Sequence, residues 1–189
     1  FEQQHAGLSE HMQDLLHTGL ALPYADYIEA LARVESIKQK LLQWMAEHGV
    51  RLLRVSIGIV FLWFGALKFF PGLSPAEGLA TNTISVLSFG VVKPALSIKL
   101  LAAWECAIGT GLLFGVFLRA TLLLLFLQML GTVTPLFIFP SEAFLLIPYA
   151  PTLEGQYIIK NIIIISAGIV IGATVRGGRL TSGERAARR

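Results

Sequence analysis

The chain has 189 residues, of which 54% are hydrophobic and only 14% charged, with a formal net charge of +3. Soluble domains carry about 25% charged residues, so the composition argues against a water-surrounded globule. The basic residues flank apolar stretches and do not form a separate patch, which argues against a nucleic-acid partner.

Residues 1–48 read as an amphipathic helical extension. Ser9 is placed to cap a short helix running to about Leu20, and Pro23 ends it. From Tyr24 to His48 a second helix is expected. Its apolar stripe is Tyr27, Leu31, Val34, Ile37, Leu41 and Trp44, at three/four spacing. Such a helix suits the membrane surface, a partner protein or the chain's own bundle. Gly49 is expected to break it before the first span.

Four apolar stretches follow, at about 52–70, 98–118, 120–139 and 157–175. Each meets the ~20 residues that a helix needs to cross a bilayer. The fold class is therefore all-α: a four-transmembrane-helix bundle over 49–178, with a basic tail over 179–189. Between the first two spans, Ser74-Pro75-Ala76-Glu77 has the pattern of a capping box with proline at the first helical position. A short helix to about Phe89 is expected there, interfacial or partly re-entrant. The turn at Leu118 and Arg119 is short enough to make spans two and three an antiparallel hairpin. The segment 140–156 holds Pro140, Pro148 and Pro151, which prevent a continuous helix; its apolar residues are expected to fold back onto the bundle mouth.

Lys and Arg near the span ends set the orientation. Arg33, Lys38, Lys40, Arg51 and Arg54 precede span one, Arg119 lies in the tight turn, and Arg176, Arg179, Arg185, Arg188 and Arg189 follow span four. The opposite side has Lys68, Lys93, Lys99 and Lys160. Both termini are expected in the cytoplasm, and a bacterial inner membrane is the expected location.

An ionisable group within lipid costs about 2.5 to 3.5 kcal/mol on insertion scales and usually pairs inside a bundle. Glu105 is the clearest case. On these boundaries it lies about 10 Å below the outer surface. Lys68 and Lys160 are in the same half, and Gln128, Thr132, Thr134 and Asn161 are at similar depth. A polar cluster is expected, with Glu105 as acceptor and Lys68 or Lys160 as donor. It serves either as a structural ion pair or as a site for a quinone head group, a small anion or a proton. Trp63 and Trp104 are placed to flank a flat ring, or simply to pack. Gly111 with Gly115, and Gly168 with Gly172, are G-x-x-x-G pairs suited to close helix packing. Pro135 should kink span three and free a carbonyl near Thr132 and Thr134.

No metal site is expected. The four histidines (His5, His11, His17 and His48) all precede the first span. No catalytic set is apparent, and the single Cys106 cannot form an internal disulfide. No intrinsic cofactor is expected.

The run Arg54-Val-Ser-Ile-Gly-Ile-Val-Phe-Leu-Trp-Phe-Gly-Ala-Leu-Lys68-Phe resembles the first span of DoxX-like membrane proteins. Glu105 followed by Gly109, Gly111 and Arg119 is similar to that family's second block, and Glu154-Gly-Gln-Tyr-Ile-Ile-Lys160-Asn to the start of its fourth span. The nearest branch is the YkgB/RclC-like one, with similarity over about 49–178. The resemblance implies a four-helix bundle and a place in redox or oxidant-stress physiology. Some relatives are linked with thiosulfate–quinone oxidoreduction, others with resistance to reactive chlorine. It also carries the family's Lys, Glu and Lys positions over to Lys68, Glu105 and Lys160. Three functions stay open: a non-catalytic, redox-linked membrane component that binds a quinone or other small molecule; an accessory subunit of a membrane complex, docking through residues 1–48; and a small-solute or proton transporter using Glu105.

Overall fold

The computed structural model describes residues 9–21, 23–74, 77–175 and 177–178. These fall into two units, with the boundary between Met45 and Ala46. The basic tail at 179–189 lies outside the described residues.

In the first unit, helix α1 (Glu10–Ala21) starts as expected: the Met12 N–H donates to Ser9 Oγ at 3.4 Å. Pro23 separates it from α2 (Tyr24–Leu67). Helix α2 continues without interruption through Gly49, so the expected break there is corrected. One glycine costs a helix about 1 kcal/mol. No proline or competing cap accompanies it, and helix-forming sequence flanks it on both sides. The stripe residues Tyr27, Leu31, Val34, Ile37, Leu41 and Trp44 are all exposed.

The second unit is built on four helices long and apolar enough to span a membrane: α2, α4 (Pro94–Phe114), the stretch Leu118–Ile138 and α8 (Leu153–Thr174). Their ends follow local chemistry. Pro94 opens α4, where its missing N–H costs nothing, and Gly115 closes it at φ 71°. Thr152 caps α8 by accepting the Gly155 N–H at 3.1 Å. Pro135 divides the third span into α5 (Leu118–Val133) and α6 (Pro135–Ile138). The carbonyl that Pro135 leaves without its helical donor is that of Gly131, and Thr134 Oγ1 donates to it at 2.7 Å.

The short helix between the first two spans is α3 (Glu77–Leu87). Pro75 and Ala76 lie outside the described residues, so the capping box is only partly visible; Glu77 Oε2 accepts from the Gly72 N–H at 3.4 Å. Helix α3 packs on α4 and buries Leu79, Thr81 and Thr83. Both threonine hydroxyls donate to carbonyls of their own helix, which satisfies them without water.

Segment 140–156 forms α7 (Pro140–Ala143) and a small hairpin, β1 (Phe144–Leu146) against β2 (Ala150–Pro151). Thr152 Oγ1 also donates to the Glu142 carbonyl at 2.7 Å, tying the hairpin base to the start of α8. Ala143 is buried and Phe144 half-buried, but Leu145, Leu146, Ile147 and Tyr149 are exposed. The expected folding of this whole apolar segment onto the bundle is therefore corrected. Leu145 and Leu146 point to opposite faces of the strand and both are exposed, so neither face of the hairpin tip is covered.

Helices α2 and α4 touch through glycine. A Cβ on Gly58 would lie 2.9 Å from the Leu113 nitrogen, one on Gly65 2.9 Å from Glu105 Cβ, and one on Gly109 2.8 Å from Leu62 Cα. These contacts run α2 and α4 antiparallel at backbone distance. Around this seam lies a core of Ile57, Phe61, Ile108, Leu112, Leu125 and Ile171, joined by Leu122, Met129 and Ala167.

Candidate functional site

The seam fixes where α2 ends. Gly65 faces Glu105 and Cys106, and α2 stops two residues later, at Leu67. From Glu105 back to Pro94, α4 runs on for about 16 Å without α2 beside it. Helix α3 covers that length only in part. The result is a cavity of about 800 Å³, lined from α2, α3, α4, α5, α6 and α8. Phe61, Phe64, Leu79, Leu101, Trp104 and Ile158 give it apolar walls.

Glu105 stands at this cavity, buried to 8% exposure and near the middle of α4. It lies about 16 Å along α4 from Pro94, because the helix begins earlier than hydropathy suggests. Both its oxygens are engaged. Lys68 Nζ donates to Oε2 at 2.6 Å, and Gln128 Nε2 donates to Oε1 at 2.8 Å. Lys68 lies just past the end of α2, where its long side chain reaches Glu105 and also the Phe64 carbonyl, at 3.4 Å. Three spans therefore meet at one carboxylate. A charge at this depth is tolerable only with such partners.

The other expected members sit differently. Lys160 lines the same cavity but does not bond Glu105; it is exposed and lies 5.8 Å from the Tyr157 ring centroid. Of the two expected donors, Lys68 is the one that bonds the carboxylate, with Gln128 on the other oxygen; Lys160, two turns into α8, does not reach it. Asn161 and Thr132 line the cavity. Thr132 Oγ1 donates to the Met129 carbonyl at 3.0 Å and Thr134 Oγ1 to Gly131, so neither hydroxyl joins the network. Trp104 lines the cavity, with Nε1 donating to the Leu124 carbonyl at 3.1 Å. Trp63 is 66% exposed and outside the cavity lining, which removes it as a ring-flanking residue.

The glycines divide similarly. Gly111 lies against Thr121 of α5, and Gly168 against Phe126 and Leu125, as packing positions should. Gly172 makes only an ordinary contact with Leu122. Gly115 instead takes the left-handed cap conformation, with the Arg54 guanidinium against it. Gly58, Gly65 and Gly109, which bring α2 against α4, fall outside any G-x-x-x-G pair. Their signal is the seven-residue interval between Gly58 and Gly65, two turns apart on one helical face.

Gln128 is 8% exposed, and its Oε1 has no hydrogen-bond partner among the described residues. Its amide nitrogen is committed to Glu105, leaving one buried acceptor unused at the cavity. No group of three or more His, Cys, Asp or Glu suited to a metal occurs among the described residues.

No curated protein and no solved structure matches the chain. The DoxX family model matches residues 49–140, just under half of the chain. The matched region contains Lys68, Glu105 and Gln128 entire, and stops before α8 with its cavity residues Glu154, Lys160 and Asn161. Over that region the chain is a DoxX-like integral membrane protein.

Proposed function

We propose that the central cavity binds a lipid-soluble small molecule of the quinone class, and that the protein is a redox-linked membrane component without catalysis of its own. The observation that carries this reading is the joining of an apolar chamber to a polar end. A volume of about 800 Å³ falls within the ~300–1,000 Å³ typical of small-molecule sites. Trp104, Phe61 and Phe64 offer flat apolar surface to a ring. Lys68 carries three N–H donors, of which two have partners, and Gln128 Oε1 offers an acceptor. A head group that accepts in one oxidation state and donates in the other suits that pair. The redox setting rests on the DoxX resemblance. The YkgB/RclC-like branch belongs to this proposal, as do the bacterial inner membrane and cytoplasmic termini suggested by basic residues near Arg54 and Arg119.

The exposed stripe from Tyr27 to Trp44 supports a second reading, in which residues 1–48 dock a partner of a larger complex.

Decylubiquinone titrated into the protein in lipid nanodiscs tests the first reading, with Trp44 and Trp63 replaced by Phe so that Trp104 alone reports. The expected result is saturable quenching that Glu105→Leu weakens at least tenfold. Quenching that only rises linearly with quinone in the bilayer, as for a Trp63-only variant, would overturn it.

A further inference from the structure

The tip of the β1–β2 hairpin presents a run of exposed apolar residues in the second unit that no helix explains. Leu145 is 80% exposed, Leu146 63%, Ile147 57% and Tyr149 83%. We propose that this tip is seated in the headgroup region of the bilayer, at the end of the bundle where α8 begins.

Three observations select lipid as the occupant. The eleven residues from Ala143 to Leu153 contain no charge, so nothing in them requires bulk water. The segment is held between two spans: it follows Ile138 by a few residues, and its far strand runs through Thr152 directly into α8. A three-residue strand is about 10 Å long, while the polar zone on each side of the hydrocarbon core is about 5–8 Å thick. Tethered at both ends to helices that leave the membrane there, the tip has no room to leave that zone by much. Its composition, aliphatic side chains beside a tyrosine, is that of a membrane boundary. Connectivity places Phe89 and Val91, between α3 and α4, at the same end, and they are 95% and 81% exposed. Two separate loops thus present apolar side chains at one membrane boundary.

The consequence concerns access. Helix α8 carries Glu154, Tyr157 and Ile158 on the cavity wall within two turns of the hairpin. Seating the hairpin at the headgroups therefore puts this part of the cavity wall at the membrane boundary. Seating in lipid is independent of what the cavity binds.

The test uses the full chain in nanodiscs. With Cys106→Ser as background, Leu145→Cys and, separately, Tyr149→Cys carry an NBD fluorophore, and Arg33→Cys, on the exposed charged face of α2, serves as the polar control. The expected result is blue-shifted emission at 145 and 149, quenched by lipids with a nitroxide at the upper acyl chain and little by aqueous iodide. Water-like emission quenched by iodide would overturn the proposal. So would blue-shifted emission protected from both quenchers, which would mean that protein, a partner or a second copy, covers the tip. Two label sites keep the test valid if one variant fails to fold.

Discussion

Along its axis the bundle has two unlike halves. Toward the Gly115–Leu118 turn, glycine brings α2 and α4 to backbone contact, and Ile57, Ile108, Leu112, Leu122 and Ile171 fill the rest. Toward α3 the helices stand apart around a cavity with Lys68, Glu105 and Gln128 at its wall. That side of the bundle is open to its surroundings and not sealed, so lipid or a ligand can enter it. The lesson is a division of labour: the packed half holds the helices together, which lets the other half stay open and polar.

The largest effect expected on that contrast is from Lys68→Ala. It leaves Glu105 buried with only Gln128, and should destabilise the protein by about 3–5 kcal/mol, read by denaturant titration in mixed micelles. Next is Gly109→Val in the packed half. Its side chain meets the Leu62 backbone and the Gly58 carbonyl, neither of which can move aside alone, so a loss of about 3 kcal/mol is expected by the same titration. A variant that kept wild-type stability there would show the seam to be looser than described. The smallest effect is from Gly49→Ala. Nothing lies within 4 Å of the added carbon, so the change should stabilise by about 0.5–1 kcal/mol if α2 is continuous at this point. A destabilisation would restore a break between the extension and the first span.

The four spans, the Ser9 cap, the Pro135 break and the tight turn at Arg119 are legible in the sequence, because hydropathy, capping and proline act locally. Glu105 stands out for the same reason, as a lone acid in apolar sequence. Its partners are only half legible. Depth counted along a span places Lys68 and Lys160 equally, but where α2 ends and which way α8 faces are tertiary facts; Lys68 reaches the carboxylate and Lys160 does not. The glycine seam is hidden from sequence because its residues are split between two helices, and no local motif joins Gly65 to Glu105. The hairpin is hidden because its strands are only three and two residues long, too short for a periodic pattern. Gly49 misleads because a glycine between two good helices is a small penalty, outweighed by the turns on either side.

The double replacement Lys68→Leu with Glu105→Leu tests the central claim most directly, read for stability and for decylubiquinone binding in the same nanodisc preparation. Removing both charges leaves no unpaired ion but takes the acceptor from Gln128 Nε2, so a loss of no more than about 1–3 kcal/mol is expected, while saturable quenching of Trp104 should disappear. A double variant that folds normally and still binds the quinone as wild type does would show that the buried acid and its lysine only hold helices together.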